Sequence, residues 1–256
     1  MPRIPEQTGE LHAVPLAMGE IKPGDSLPEK IFAALRRRRL HLVSGDILVV
    51  KHKIVSKAEA QVVALESVKP SPAAQRWARA HNLDARVSHL ALSEARRIVR
   101  RRNGVLITET RHGWICANSG VDVSNVDGGS SAILLPEDAD RSAERVHRAL
   151  KKKFRVHVPV IISDSFGRPW REGLTEVAIG VAGMPVFRDY RGQRDRFGYP
   201  LRVSLEAVAD ELACVAGLVC GKLTGMPACI IRGFRYAPKR GQARDLVRPA
   251  ERDLFR

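Results

Sequence analysis

The sequence predicts an α/β fold of the α+β kind, with mixed sheets and helices packed against them. Three observations lead there. Short apolar runs bounded by Gly, Pro, Asp and Asn recur along the chain, as buried strands do. Between them lie stretches whose apolar residues recur at helical spacing. Hydrophobic residues make up 44% of the 256 positions, enough for a sizeable core.

The elements follow in order. Met1-Pro2-Arg3-Ile4-Pro5-Glu6 lacks the apolar core of a signal peptide, so a cytoplasmic location is expected. Ser26-Leu27-Pro28-Glu29 has the form of a capping box with Pro in the first turn, opening a helix to about Leu35–Arg38. Gly45-Asp46 turns into a strand through Val50, which runs to the segment Lys51–Glu59. Ser71-Pro72 starts a helix to about His81. A third helix is expected from about Ser88 to Arg101, stopping before Gly104, with a strand over Val105–Thr108. Ala139, Ala143, Val146, Ala149 and Leu150 give residues 138–153 one apolar helical face. Strands are expected over Val156–Ile162, Val177–Val181 and Ala228–Arg232, and a largely buried helix over Ser204–Val219. Residues 1–236 form the main domain, which could divide into two intertwined subdomains. Residues 237–256 are charged and turn-rich, as a surface extension or mobile tail would be.

The net charge is +15. Such a balance attracts nucleic acid, acidic membrane surfaces or polyanionic small molecules. Much of it lies in the runs Arg36–Arg39, Arg96–Arg102 and Lys151–Lys153, which fit solvated helix ends, where cations favour the dipole. Nucleic acid is disfavoured: aromatic residues are only 5%, leaving few stacking platforms, and no helix-turn-helix or finger pattern occurs. No apolar run approaches a membrane span. The four cysteines show no CxxC and no zinc spacing, as free thiols in a reducing compartment would.

Three stretches carry chemistry. Ser163-Asp164-Ser165-Phe166-Gly167-Arg168-Pro169-Trp170-Arg171 follows an apolar strand and places a carboxylate at its expected end. Ligands bind at the carboxyl ends of strands in α/β proteins. Arg168 and Arg171 are candidate clamps for phosphate or carboxylate, which Arg grips in bidentate fashion. The stretch Gly113–Val126 repeats the design and offers Asp122 and Asn125, oxygen donors of the kind Mg²⁺ or Mn²⁺ prefers. The Lys51–Glu59 segment supplies lysines that could neutralise a phosphate.

Taken in order, these stretches resemble the coenzyme F420-0:L-glutamate ligases, the CofE-like family, whose domain also forms the amino-terminal half of the actinobacterial two-domain ligase. The resemblance runs from about Val14 to about Phe234. It takes in Gly19-Glu20-Ile21-Lys22-Pro23-Gly24-Asp25, Val55-Ser56-Lys57-Ala58-Glu59, Gly120-Val121-Asp122-Val123-Ser124-Asn125 and the Asp164 segment. Asp189-Tyr190-Arg191-Gly192, Asp195, Val208-Ala209-Asp210-Glu211-Leu212-Ala213 and Gly225-Met226-Pro227-Ala228 complete it.

The resemblance implies a CofE-like fold, a homodimer, and GTP-driven formation of an amide bond between L-glutamate and F420-0. It implies Asp122 and Asp164 as ligands of Mg²⁺ or Mn²⁺, with K⁺ a further candidate, and Ser165 as the hydroxyl serving a second metal. It implies nucleotide contacts at Met18, Gly19, Glu20, Ile21, His52, Lys57, Asn125 and the loop Cys220, Gly221, Lys222, Leu223, Thr224, Gly225 and Met226. His52 stands where archaeal members carry a small hydroxyl, and Lys222 where they place an acid for the second metal. Lys222 therefore keeps open a catalytically altered relative that binds an anionic ligand. Nothing resembling the two-domain enzyme's flavin-binding domain follows, so any redox step is expected to belong to another protein.

Overall fold

The computed structural model describes residues 9–237 and 239–254. Its centre is a mixed sheet in the order β1-β12-β2-β8-β9. Strand β1 (His12–Leu16) is followed by helix α1 (Leu27–Arg37), strand β2 (Ile47–Lys51) and the short helix α2 (His52–Ala58). Next come β3 (Val62–Ala64), α3 (Pro72–His81), α4 (Ala85–Ser93), β4 (Ala95–Arg102), β5 (Val105–Thr110), β6 (Ile115–Ala117) and β7 (Ser131–Ile133). The chain then returns through α5 (Ala139–Phe154) to the hairpin of β8 (Val160–Arg168) and β9 (Arg171–Ala182). The short pair β10 (Arg188–Asp189) and β11 (Leu205–Glu206) precedes α6 (Val208–Cys220) and β12 (Ala228–Arg232).

Strands β2 and β8 are buried on both faces, which is why they read as continuous apolar runs. On one face, Leu48, Val50, Val160 and Ile162 pack with residues of α1, α2 and α5. On the other, Ile47, Val49 and Ile161 pack with Leu212, Ala213 and Ala216 of α6. A separate cluster around Leu65, Ala91, Leu106 and Leu134 supports the sheet β4-β5-β6 and the pair β3-β7.

Several expectations are corrected. Arg96–Arg102 is an exposed edge strand, not the end of a helix, and α4 stops at Ser93. The run has no apolar helical stripe, and it turns into β5 through Asn103 (φ 48°) and Gly104 (φ 78°). Asn-Gly suits a hairpin whose turn needs positive φ. Its arginines thus line a sheet edge, where charge blocks pairing with another chain. Ser26 is the N-cap of α1 but makes no side-chain capping bond, so the capping box is not formed. The strand before Asp164 starts at Val160 and continues to Arg168, because β9 pairs with it along its whole length. Helix α6 starts at Val208, residues 205–206 being strand. Part of the 237–256 extension is pinned to the domain. Ala243 is fully buried, and its N–H and that of Val181 donate to the same Asp140 Oδ1 at 2.7 and 2.8 Å.

Candidate active site

One row of the central sheet gathers the segments singled out in the sequence. Leu16 pairs with Ala228, Ala228 with Val50, and Val50 with Ile162. Just beyond that row lie Met18–Ile21 after β1, the 220–227 loop before β12, His52 after β2, and Ser163–Ser165 on β8. The order β1-β12-β2-β8 thus brings to one sheet edge segments that are far apart in the chain. The edge is the carboxyl end of the parallel pair β2 and β8, where ligands bind in α/β sheets.

At that edge three consecutive residues each meet a different carboxylate. Lys51, the last residue of β2, pairs with Glu176 of β9. The His52 ring lies with Nε2 3.2 Å from Asp164 Oδ1, both side chains largely buried, and its Nδ1 faces Ser56 Oγ at 3.4 Å. Lys53 Nζ lies 2.7 Å from Asp122 Oδ2 and donates to Ser124 Oγ at 2.7 Å and Ser124 O at 3.1 Å. The three residues alternate in direction because β2 passes into α2 between Lys51 and His52.

Burial opposes ionisation of Asp122, but the Lys53 hydrogen bond and the Ser124 N–H, which donates to Oδ1 at 2.6 Å, outweigh it and hold the carboxyl below its usual range. Asp164 acts on its surroundings in turn. Burial, reinforced by the Asp164 charge, pushes the Cys116 thiol up to about 12, so that thiol is inert at neutral pH.

The donor set fits a hard divalent cation. Asp164 Oδ1 is taken by His52 and by the Ser165 N–H at 2.7 Å, whereas Oδ2 accepts nothing among the described residues. Asp122 offers a half-exposed carboxylate whose ammonium partner among the described residues is Lys53. Among the described residues no three His, Cys, Asp or Glu side chains converge closely enough to cage an ion. That pattern suits Mg²⁺, which keeps waters and is held by one or two carboxylates plus substrate phosphates.

Strand β8 places Ser165 on the other side of the ribbon. Ser163 and Ser165 stand opposite Ala178 and Glu176 of β9 and face α6, while Asp164 stands opposite Val177. Glu176 is nearly buried and accepts from Ser163 Oγ at 3.0 Å and from Ser165 Oγ at 2.7 Å. Helix α6 closes over it at Gly217, where an added Cβ would lie 2.5 Å from Glu176 Cγ.

The 220–226 loop begins at Gly221, whose φ of 58° and ψ of −164° are open essentially to Gly alone. Thr224 Oγ1 donates to Cys220 O, and the Met226 N–H donates to Thr224 Oγ1 at 3.3 Å. Lys222 and Leu223 are exposed.

The other sequence candidates fall variously. Asn125 adjoins Ser124 and has φ 59°, in the left-handed region that Asn tolerates. Met18 and Ile21 bury their side chains in the core, while Gly19 and Glu20 are exposed. Lys57 lies in the last turn of α2. Arg168 and Arg171 are not brought to the carboxylates. They pair with each other across the tip of the β8–β9 hairpin, and Arg168 Nη2 donates to Glu172 O at 3.0 Å. Arg168 stands four positions beyond Asp164 on the strand, roughly 13 Å at the usual rise. Sequence reasoning did not single out Glu176, and it gave Lys51 and Lys53 only the segment's general role of neutralising a phosphate, not their carboxylate partners. For Glu176 the available signal was a carboxylate at the start of the apolar run Val177–Ala182.

Comparison with known proteins shows the family. The family model described as F420-0:Gamma-glutamyl ligase matches residues 15–233. A protein of Methanothermobacter thermautotrophicus named coenzyme F420:L-glutamate ligase is 44% identical over 236 residues, covering 91% of this chain and 93% of that one. Proteins of the same name from Methanopyrus kandleri and Methanocaldococcus jannaschii are each 42% identical. The first covers 97% of this chain and 98% of its own, the second 83% and 85%. Among the described residues no helix is long and apolar enough to cross a membrane.

Proposed function

The chain belongs to the F420-0:gamma-glutamyl ligase family, and we propose that it joins L-glutamate to coenzyme F420-0 in a reaction driven by GTP. The observation that carries this reading is the sequence Lys51-His52-Lys53, which meets Glu176, Asp164 and Asp122 at one sheet edge. It offers carboxylates to cations and ammonium groups to phosphates in the same place. The substrates named by the relatives are anionic, as is GTP, and the net charge of +15 favours their approach.

In the proposed reaction a carboxylate oxygen of F420-0 forms a bond to the γ-phosphorus of GTP, and the bond to the β-phosphate oxygen breaks, releasing GDP. The resulting acyl phosphate is attacked at carbon by the glutamate amine. Phosphate leaves with the C–O bonding electrons, and the amine gives up a proton as the amide forms. The protein's part is positioning and charge neutralisation, as is usual for phosphoryl transfer. Asp122 and Asp164 would hold Mg²⁺ or Mn²⁺, which supplies charge neutralisation on phosphate oxygens when bound. His52 fixes the Asp164 carboxylate through Oδ1 and leaves Oδ2 without a hydrogen-bond partner among the described residues. Lys53 holds Asp122 through Oδ2 and would be available to a phosphate if Asp122 held the cation. Lys57, Asn125, residues 18–21 and the 220–226 loop would surround the nucleotide.

Lys222 favours a second reading, a relative with altered metal use, since a protonated lysine cannot replace a carboxylate ligand. A homodimer is part of the proposal, supported by the exposed apolar residues Phe197, Tyr199, Val203 and Leu223. The test of function is incubation of F420-0, GTP, L-glutamate and Mn²⁺ or Mg²⁺ with the protein, followed by mass spectrometry. Glutamylated product and GDP support the ligase. GTP left intact and F420-0 left unmodified would exclude it.

A further inference from the structure

We propose that Glu176 is a positioning residue that fixes the Ser165 hydroxyl as a lone-pair donor to a divalent cation, an inference that rests on the ligase reading above. A serine hydroxyl has one proton and two lone pairs. It ligates a cation well only when its proton points elsewhere. Ser165 Oγ donates that proton to Glu176 Oε1 at 2.7 Å, so its lone pairs are turned away from Glu176.

The acceptor is itself fixed. Glu176 Oε1 also carries the Lys51 ion pair, and Oε2 accepts the Ser163 hydroxyl at 3.0 Å. Gly217 of α6 lies so close that a Cβ there would meet Glu176 Cγ at 2.5 Å. The Cys214 thiol adds a contact to the Glu176 backbone carbonyl at 3.2 Å. Four elements, β2, β8, β9 and α6, therefore converge on one nearly buried carboxylate. Lys51 offsets its charge, which suits Glu176 to be an anchor and not a direct ligand: with the ammonium in place, the carboxylate orders hydroxyls instead of gathering ions. Partners of this kind behind a metal ligand typically matter about 10–100-fold in metal affinity.

The geometry also separates two cation positions. Asp164 and Ser165 are neighbours in the chain but face opposite sides of the β8–β9 ribbon. Asp164 serves the side of α2 and Asp122, and Ser165 the side of α6 and the 220–226 loop. Glu176 thereby acts on the second position only.

The test uses the full chain with GDP present and follows free Mn²⁺ by electron paramagnetic resonance. Replacing the ion pair as a unit, Lys51→Met with Glu176→Met, leaves net charge unchanged and no buried charge without a partner. Such replacements are often neutral for folding. Ser165→Ala removes only the hydroxyl, and Asp164→Asn reports the other position. The expected result is loss of about tenfold or more in the affinity of one Mn²⁺ in the double variant, with thermal unfolding close to wild type. Ser165→Ala should cause a similar loss, and adding it to the double variant should cause no further one. Wild-type affinity in the double variant would overturn the role of Glu176. So would wild-type affinity in Ser165→Ala, should the double variant fail to fold. Wild-type protein that binds no Mn²⁺ at all would overturn the metal reading of the site as well, and with it this inference.

Discussion

His52 Nε2 stands 3.2 Å from Asp164 Oδ1 with both side chains largely buried. The contact joins the first turn of α2 to β8, and Asp164 Oδ2 accepts no hydrogen bond among the described residues. A histidine at this position can hold the carboxylate by hydrogen bond and can add charge only when protonated. Asp164→Asn retains the shape and loses the anion. It should abolish turnover while shifting thermal unfolding little. Near-normal, metal-dependent ligation by this variant would remove Asp164 from the reaction.

Lys53 and Asp122 make the complementary contact at 2.7 Å. The folded-state pKa of Asp122 lies below its unfolded value of 3.8, so its contribution to folding is present above that value and is lost as pH falls through the folded pKa. Lys53→Met removes the strongest of the contacts that lower it, so the Asp122 titration should move upward. Carboxyl chemical shifts followed by NMR across the acid range measure this. An unmoved titration would show that Lys53 does not hold the carboxylate in solution.

Lys57→Ala should weaken GTP binding by removing a positive charge near the phosphates. A charge-assisted contact is worth about 1.5–3 kcal/mol, or roughly tenfold and more in affinity. Calorimetry measures it, and an unchanged affinity would place Lys57 on the outer surface of α2.

Gly217→Ala drives a methyl into Glu176, which four elements hold in place. Overpacking of this kind costs about 1–3 kcal/mol. In a domain of this size each kcal/mol shifts the unfolding temperature by about 2–4 °C. Differential scanning fluorimetry should show the loss, and an unchanged Tm would mean that α6 can back away from β9.

Most of the frame was legible in the sequence because it rests on local signals. The strands at Ile47–Lys51 and Ala228–Arg232 are continuous apolar runs, and α5 carries its apolar stripe and its Asp138 cap in the chain itself. Over residues 88–102 the structure departs from the expected helix because Gly104 belongs, with Asn103, to a hairpin turn and does not stop a helix. The site was legible as motifs but not as an arrangement. Asp122, Asp164 and His52 stand out by type and context, whereas the contact of His52 with Asp164 depends on the pairing of β2 with β8, and that of Lys53 with Asp122 on the packing of α2 beside β7. Glu176 was invisible for the same reason: its partners Lys51, Ser163 and Ser165 become neighbours only through the pairing of β8 with β2 and β9. The reverse held at Arg168 and Arg171, where closeness in sequence suggested closeness to Asp164 and the extended hairpin carries them away.

Lys222 lies in an exposed loop that the family resemblance directs at the nucleotide. Its fixed charge would stand where archaeal relatives use an acid and a cation. Lys222→Glu should therefore make activity depend on higher Mg²⁺ or Mn²⁺. Metal titrations of both proteins check this, and coincident curves with equal maximal activity would make Lys222 an ordinary solvated lysine.

The most direct test is mass spectrometry of F420-0 after incubation with the protein, GTP, L-glutamate and Mn²⁺, with the Asp164→Asn protein alongside. Ligation predicts a product heavier by one or more glutamyl residues, formed together with GDP and only by the wild-type chain. Unmodified F420-0 beside intact GTP, or equal product from both proteins, would contradict it.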